Sequence, residues 1–325
     1  MDWRGCLRLL RRMIDGEESS SGGQPILGLG TVVVDHQVFL KALPEPDTKG
    51  EILSDRFQVG GPVPTALALL SRFGVETSFI GKWGTDDWGN MIEEDLGSSK
   101  VSIGHSLVHP QFRSGFAHVW VERGTGRRSI AAYRGSHEIS TEDLDGMDWS
   151  RYGALHLDGW STDAAMVAAE RMRKGGGKTF MDLGSPKPRL EKLIGWIDHV
   201  NCPRRLLNTL FPGVIMEQSA SRFLDYGAAS VSVTDGAQGS WLVTRERTIH
   251  QPAFAIEAVD TNGAGDVFSG AMVYGLVQGW EHEDCLRFAA AAAALKCQGM
   301  GNRAALPTRG QVDSFLDGTS TGITA

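Results

Sequence analysis

Residues 259–275 hold the groups with the clearest chemical use: the turn Val259-Asp260-Thr261-Asn262-Gly263-Ala264-Gly265-Asp266, then small apolar residues through Gly275. The turn is polar and glycine-rich, and the run after it reads as a helix. Glycine lets the backbone come close to a ligand because no Cβ is in the way. The first N–H groups of a helix have no partner inside it, and with the helix dipole they form a seat for a phosphate oxygen. Asp266 stands where the turn becomes the helix. A carboxylate beside an anion seat repels phosphate, so it suits a base that takes the proton of an attacking hydroxyl. Anion seat plus base is what phosphoryl transfer requires. The plainer reading is a glycine-rich loop that caps a structural helix.

The elements that must position this turn alternate along the chain. Strands are expected at 26–29, 78–80, 154–157, 179–181, 229–233 and 241–243, with β character continuing at 32–34. Helices are expected at 65–73, 88–96, 163–174 and 284–297, with Gly74 and Gly299 as stops. Strands alternating with helices imply an α/β fold with a mostly parallel sheet covered on both faces. Two zones, about 38–58 and 106–133, break the alternation and read as antiparallel ribbons.

The chain has 325 residues, enough for one large α/β domain or two ordinary ones. A net charge of −7 argues against a nucleic-acid partner, which calls for a basic excess. The four cysteines, Cys6, Cys202, Cys285 and Cys297, show no Cys-x-x-Cys spacing and read as a reduced, cytoplasmic set with no zinc site. No run approaches the ~20 apolar residues of a membrane span. Residues 1–14 mix leucines with Arg4, Arg8, Arg11 and Arg12, which interrupt every apolar run, so no secretory signal is expected. Residues 1–24 read as a flexible extension that ends in the Ser19–Gly23 linker.

Asp260-Thr261-Asn262-Gly263-Ala264-Gly265-Asp266 resembles the C-terminal signature of the ribokinase (PfkB-type) carbohydrate kinases, Asp-Thr-x-Gly-Ala-Gly-Asp, at every fixed position. The resemblance implies a ribokinase-like three-layer α/β/α fold with a central, mostly parallel sheet. It implies a kinase domain over 25–310, a small β-sheet lid grown from the two ribbon zones, and a tail at 311–325. A lid fits the chemistry, because phosphoryl transfer must exclude water. It also implies Asp266 as base, with the amides of Gly263, Ala264 and Gly265 as the anion hole. ATP and Mg2+ are implied as cofactors. Relatives often hold a monovalent cation such as K+ around Asp260, Asn262 and the turn near Gly299.

On the sugar side, Gly28 to Asp35 resembles the family's first strand, which ends near an aspartate that binds sugar hydroxyls. Gly60-Gly61-Pro62-Val63-Pro64-Thr65-Ala66 resembles its Gly-Gly-x-x-x-Asn-x-Ala segment, with Thr65 in place of the usual sugar-binding Asn. On the nucleotide side, Thr234, Gly236 and Gly239 match a strand-end turn that approaches the ATP phosphates. Ala290 stands on the adenine-side helix where an Asn is common. Relatives carry Asn-x-x-Glu after the strand near 199–201, but here Asn201 is followed by Cys202, Pro203, Arg204 and Arg205, so the glutamate is absent and no metal ligand is assigned. Arg204 and Arg205 read as solvated charges or phosphate contacts. Arg113, Arg128 and Arg134 lie in or beside the lid, where one could meet an acidic sugar.

The expected function is ATP-dependent phosphorylation of a hydroxyl of a small sugar. The lean is to a hexose or ketose, because residues 156–210 resemble ketohexokinase-like members. The alternative is a sugar- or nucleotide-binding family member with weak or no kinase activity, motivated by the missing glutamate, Thr65 and Ala290. The expected partners are the sugar and ATP. Exposed ribbon edges seek pairing, which makes the lid the place for a homodimer contact.

Overall fold

A computed structural model of the chain describes residues 23–124 and 127–320. Most of the expected extension, residues 1–22, lies outside the described residues. The strands are β1 (Ile26–Leu29), β2 (Val33–Leu40), β3 (Ile52–Gly60), β4 (Thr77–Ile80), β5 (Lys82–Trp83), β6 (Val101–Ser102), β7 (Leu107–Val108), β8 (Phe116–Glu122), β9 (Arg128–Tyr133), β10 (Ala154–Leu157), β11 (Lys178–Asp182), β12 (His199–Pro203), β13 (Ser230–Thr234), β14 (Ser240–Val243) and β15 (Thr248–Gln251).

Nine strands form the main sheet in the order β15-β14-β13-β12-β11-β10-β1-β4-β6. It is parallel from β13 to β6, and β14 and β15 turn back antiparallel at one edge. Every residue of β1, β4 and β10 is buried, as expected of strands covered by helices on both faces. The helices Thr162–Lys174 and Met216–Tyr226 contribute to one hydrophobic core with Leu155, Leu157 and Val231. Ala264–Val277 and His282–Cys297 contribute to another, and Pro62–Arg72 and Asp87–Ser98 to a third. Small residues let Ala264–Val277 lie close against Pro62–Arg72: a Cβ on Gly270 would stand 3.0 Å from Ala66 Cα. This packing joins the helix that begins at the Asp266 turn to the helix that begins at the Gly60-Gly61 turn. No helix among the described residues is long and apolar enough to cross a membrane.

The lid is a separate four-stranded sheet in the order β3-β2-β8-β9. The pairs β2–β3 and β8–β9 are antiparallel ribbons, joined by a parallel β2–β8 contact. Its boundaries differ from the expected zones. The first ribbon begins at Val33 and runs to Gly60, so Asp35 lies inside a lid strand rather than at the end of the first sheet strand. The second ribbon begins only at Phe116, because Leu107–Val108 pairs with Lys82–Trp83 instead. Strand pairing sets these limits, and β-forming residue types extend beyond them in both directions. The face that carries His36 and Val38 also carries their partners Phe57 and Trp120, both exposed.

Residues 309–320 form a helix where a tail was expected from 311. Val312 is fully buried, and Phe315 and Leu316 pack on the same core, an i, i+3, i+4 stripe that docks this segment onto the domain.

The turn at 84–89 is built by close backbone contact. Asp86 caps Asp87–Ser98 by accepting from the Gly89 amide at 2.9 Å, and its other oxygen accepts from the Ser114 amide at 2.9 Å. A Cβ on Gly89 would overlap Gly84 O, whereas one on Gly97 of the same helix meets nothing within 4 Å. Gly89→Ala is therefore expected to cost about 1–3 kcal/mol by overpacking. Gly97→Ala is expected to be neutral or to stabilise by up to about 1 kcal/mol. Denaturant midpoints of the two variants check the contrast, and equal midpoints would refute it.

Candidate active site

Gly263, in the left-handed conformation at φ 75°, caps the helix Ala264–Val277 and turns the chain so that Asp266 falls in the first helical turn. Among the described residues, the amides of Gly263 and Gly265 have no partner, while Ala264 N–H donates a long bond to Thr261 O at 3.3 Å. Two of the three expected anion-hole amides are thus free, and the third is weakly held. A Cβ on Gly265 would enter open space, so nothing blocks approach to this helix end.

Asp260 ties the turn to the rest of the molecule. Its Oδ1 accepts from the Asn262 amide at 3.0 Å. Its Oδ2 accepts from the Gly301 amide at 2.9 Å and from Arg56 Nη2 at 2.8 Å. Arg56 is held in turn by Gln37 Oε1 at 2.6 Å, which links the lid strands β2 and β3 to the knot. Lys296, fully buried, donates to Asp260 O at 2.8 Å and lies 3.6 Å from Oδ2. Burial works against ionisation of Asp260, but the two amide hydrogen bonds, the Lys296 charge and the Arg56 bond outweigh it and hold the carboxyl below its usual range. Asn262 donates to Asn302 Oδ1 at 3.0 Å, and the Asn302 amide donates to Gln58 Oε1 at 3.1 Å, closing the ring onto β3.

Asp266 lies close enough to Asp35 for its charge to act on it. The Asp266 carboxyl is raised to about 6, chiefly by desolvation, with Arg303, Arg128 and Lys296 opposing the rise. Asp35 is also raised to about 6, first by desolvation and then by the charge of Asp266, again against Arg303 and Arg128. Gly60, on the paired strand two positions beyond Gln58, the partner of Asp35, leaves the room that carboxylate fills, since a Cβ there would overlap Oδ2. Gly61 is required by its backbone, at φ 108° and pressed on Thr31 O. Thr65 is fully buried, and its hydroxyl accepts from Arg303 Nη1 at 2.9 Å. Arg128 reaches from β9 to Asn262 Oδ1 at 3.3 Å. A cavity of about 490 Å³ between lid and loop is lined by Gln37, Val119, Arg128, Asp260, Asn262 and Met300, among others.

Of the residues expected on the nucleotide side, Thr234, Gly236 and Gly239 lie together at the end of β13. Thr234 closes the strand and Gly236, at φ 53°, opens a single 3-10 turn toward free space. Gly239 has a structural reason of its own, because a Cβ there would overlap Gln251 O of the neighbouring strand. Ala290 is half-buried within His282–Cys297. Arg204 is an ion-pair partner, 3.0 Å from Asp235 Oδ2 and lying over the Trp241 ring, while Arg205 is exposed. Asn201 is buried and accepts from Ser232 Oγ at 2.9 Å. Among the described residues, no group of three His, Cys, Asp or Glu side chains is arranged to hold a metal.

Sequence reasoning missed Asp158, Asp182, Lys187 and Arg303. Asp158 accepts from the Thr31 amide at 2.7 Å and from the Trp160 amide at 2.9 Å, bracing the crevice between β1 and β10. Asp182, buried at the end of β11, is pushed well above the usual carboxylate range by desolvation, then by Asp266 and Asp158. Lys187 is depressed by burial against the pull of Asp158. One signal was available for the two acids: both lie at carboxyl ends of parallel strands, the edge where open α/β sheets bind ligands. Removing the knot tests the anchoring of the site. Asp260→Ala strands a buried ammonium and is expected to cost about 3–5 kcal/mol in chemical denaturation, and a cost under about 1 kcal/mol would contradict that role.

Comparison with known proteins agrees with this geometry. Residues 26–309 match the profile of the pfkB family carbohydrate kinases. The ribokinase of Arabidopsis thaliana is 28% identical over 308 residues, covering 90% of this chain and 81% of that protein. The ribokinase of Haemophilus influenzae is 25% identical over 89% of this chain and 97% of its own length, and the ketohexokinase of Mus musculus is 24% identical over 84% and 95%. The solved structure of Arabidopsis thaliana ribokinase with ribose and ATP superposes with a TM-score of 0.79 at 27% identity, covering 90% of this chain and 99% of that one. Ribokinase from Thermotoga maritima gives 0.78 at 25% identity with the same coverage. A match that runs from the first strand of the sheet to the start of the last helix makes this chain a member of the pfkB family of carbohydrate kinases, and with it a phosphotransferase.

Proposed function

We propose that the protein transfers the terminal phosphoryl group of ATP to a hydroxyl of a small sugar or sugar-like acceptor. One observation carries this reading: Asp266, in the first turn of a helix with free leading amides, faces Asp35 of the lid, and both carboxyls are raised to about 6. In this reading Asp35 accepts hydrogen bonds from acceptor hydroxyls, and Asp266 takes the proton of the one that attacks. The amides of Gly263 and Gly265 receive the transferring phosphoryl oxygens, joined by Ala264 once its long bond yields. Gly60 and Gly61 place the sugar side of the cleft, with Thr65 acting through Arg303. Thr234, Gly236 and Gly239 form the turn beneath the ATP phosphates, and the helix around Ala290 backs the base. Lid strands over the cleft exclude water.

The residues present fit ATP, since Gly236 and Gly265 face open space at two backbone turns that can take phosphate oxygens. Mg2+ when bound neutralises phosphate charge. It ordinarily keeps several waters and leans on the phosphates, which suits a chain with no three-ligand cluster among its described residues and no carboxylate after Asn201. A monovalent cation fits less well. Arg56 and the buried Lys296 already bring positive charge to Asp260, and Lys296 donates to its carbonyl.

The test is ADP release with Mg-ATP across ketoses, aldoses, sugar acids and nucleosides, comparing the wild type with Asp266→Asn. Turnover on one class that falls about 10²–10⁴-fold in the variant is expected. Binding of sugar or ATP without turnover would move the protein to the alternative, a binding member of the family. Activity is expected to fall as pH drops through about 6, because protonation removes both the Asp266 base and the Asp35 acceptor. A flat profile from pH 5 to 8 would remove these carboxylates from the mechanism. Turnover is also expected to persist when K+ is replaced by tetramethylammonium, and a loss of more than about tenfold would show that Lys296 does not stand in for the cation.

A further inference from the structure

Arg303, in the turn after His282–Cys297, is held along two of its nitrogens. Nε donates to Asp95 Oδ2 at 3.0 Å and Nη1 to Thr65 Oγ1 at 2.9 Å. Nη2 is closed off from solvent and has no partner among the described residues. The same guanidinium acts electrostatically on both Asp35 and Asp266, so it lies within reach of both carboxyls. A planar fork anchored on two nitrogens has its third aimed in a set direction. A buried donor with no acceptor costs free energy that contacts to Asp95 and Thr65 do not recover. Such an arm makes physical sense where a ligand supplies the missing oxygen.

Residue 65 explains why the arm is there. Thr65 is fully buried, and its hydroxyl is spent on the arginine. Arg303 therefore extends the sugar-side surface where the amide of an asparagine would have reached.

We infer that Arg303 is an acceptor-binding residue whose Nη2 donates to the oxygen of a sugar hydroxyl, while that hydroxyl donates its proton to Asp35. A hydroxyl can do both at once, since it carries one donor and two acceptor lone pairs. An acceptor lacking that hydroxyl leaves both buried groups unpaired, so the pair selects for it. The inference rests on the proposed kinase reading of this cleft.

The test is calorimetric titration of the acceptor identified by the ADP-release panel into the wild type, Arg303→Met and Arg303→Lys, together with its single-deoxy analogues. ATP titration and thermal melting serve as controls for folding. Arg303→Met is expected to weaken acceptor binding about ten- to a hundredfold with ATP affinity unchanged. One deoxy analogue should bind the wild type and the variant equally, because the bridging hydroxyl is already gone. If Arg303→Met does not fold, Arg303→Lys, which keeps the charge and loses the fork, carries the same measurement. Unchanged acceptor affinity, or a fall in kcat with affinity intact, would overturn the assignment while leaving the kinase reading standing. A wild type that binds ATP but none of the acceptors would overturn both.

Discussion

Asp260 is where four parts of the molecule meet. Its two oxygens accept from the loop that leads to Asp266, from the turn at Gly301 and from Arg56 of the lid, and a buried lysine lies against it from the helix His282–Cys297. Few of these contacts are worth much alone, because pairing charges away from water offsets little more than the cost of desolvating them. Their value is specificity of position. A carboxylate that satisfies three donors in fixed directions allows one arrangement of loop, lid base and C-terminal turn. The open helix N-terminus at Gly263 inherits that arrangement.

The cleft above the knot carries an electrostatic load. Asp35, Asp266 and Asp182 are all driven upward by burial; the charge of Asp266 adds to the rise of Asp35 and Asp182, and that of Asp158 to the rise of Asp266 and Asp182. Arg303 and Arg128 reduce the load on Asp35 and Asp266, and Lys187 reduces it on Asp182, so the site is neither neutral nor fully paired. Such an environment raises a carboxyl toward the pH at which a base works best. The packing behind the cleft is close. The small residues of Ala264–Val277 let this helix and Pro62–Arg72 lie backbone to backbone, so the turn at Gly263 and the turn at Gly60-Gly61 share one support.

Much of this was legible in the order of residues. The alternation of strands and helices predicted the parallel sheet, and observed elements such as Ala154–Leu157 and Thr162–Lys174 coincide with the expected ones to within a residue or two. The Asp260–Asp266 turn was readable because local rules govern it: a left-handed glycine, a helix start and an acid three residues on. The lid ribbons were visible as breaks in the alternation. The helix at 309–320 was not legible, because the stripe of Val312, Phe315 and Leu316 is too short to announce it until a core is there to receive it.

Local chemistry, read from the sequence, thus determined the class of fold, the glycine-rich turn at 260–266 and the acid at its helix start. Only the tertiary structure decided which charges meet. Arg303 is 238 positions from Thr65 and 208 from Asp95, and Arg56 is 204 from Asp260. No periodicity links residues so far apart, because their encounter depends on how layers pack and not on backbone preference. The same holds for Arg204, which pairs with Asp235 from the neighbouring strand end, and for the lid ribbon that lays the Asp35 carboxylate over Gly60. Turns and helix starts are short-range consequences of φ, ψ and hydrogen bonding; the balance of buried charge is a sum over the whole assembled interior.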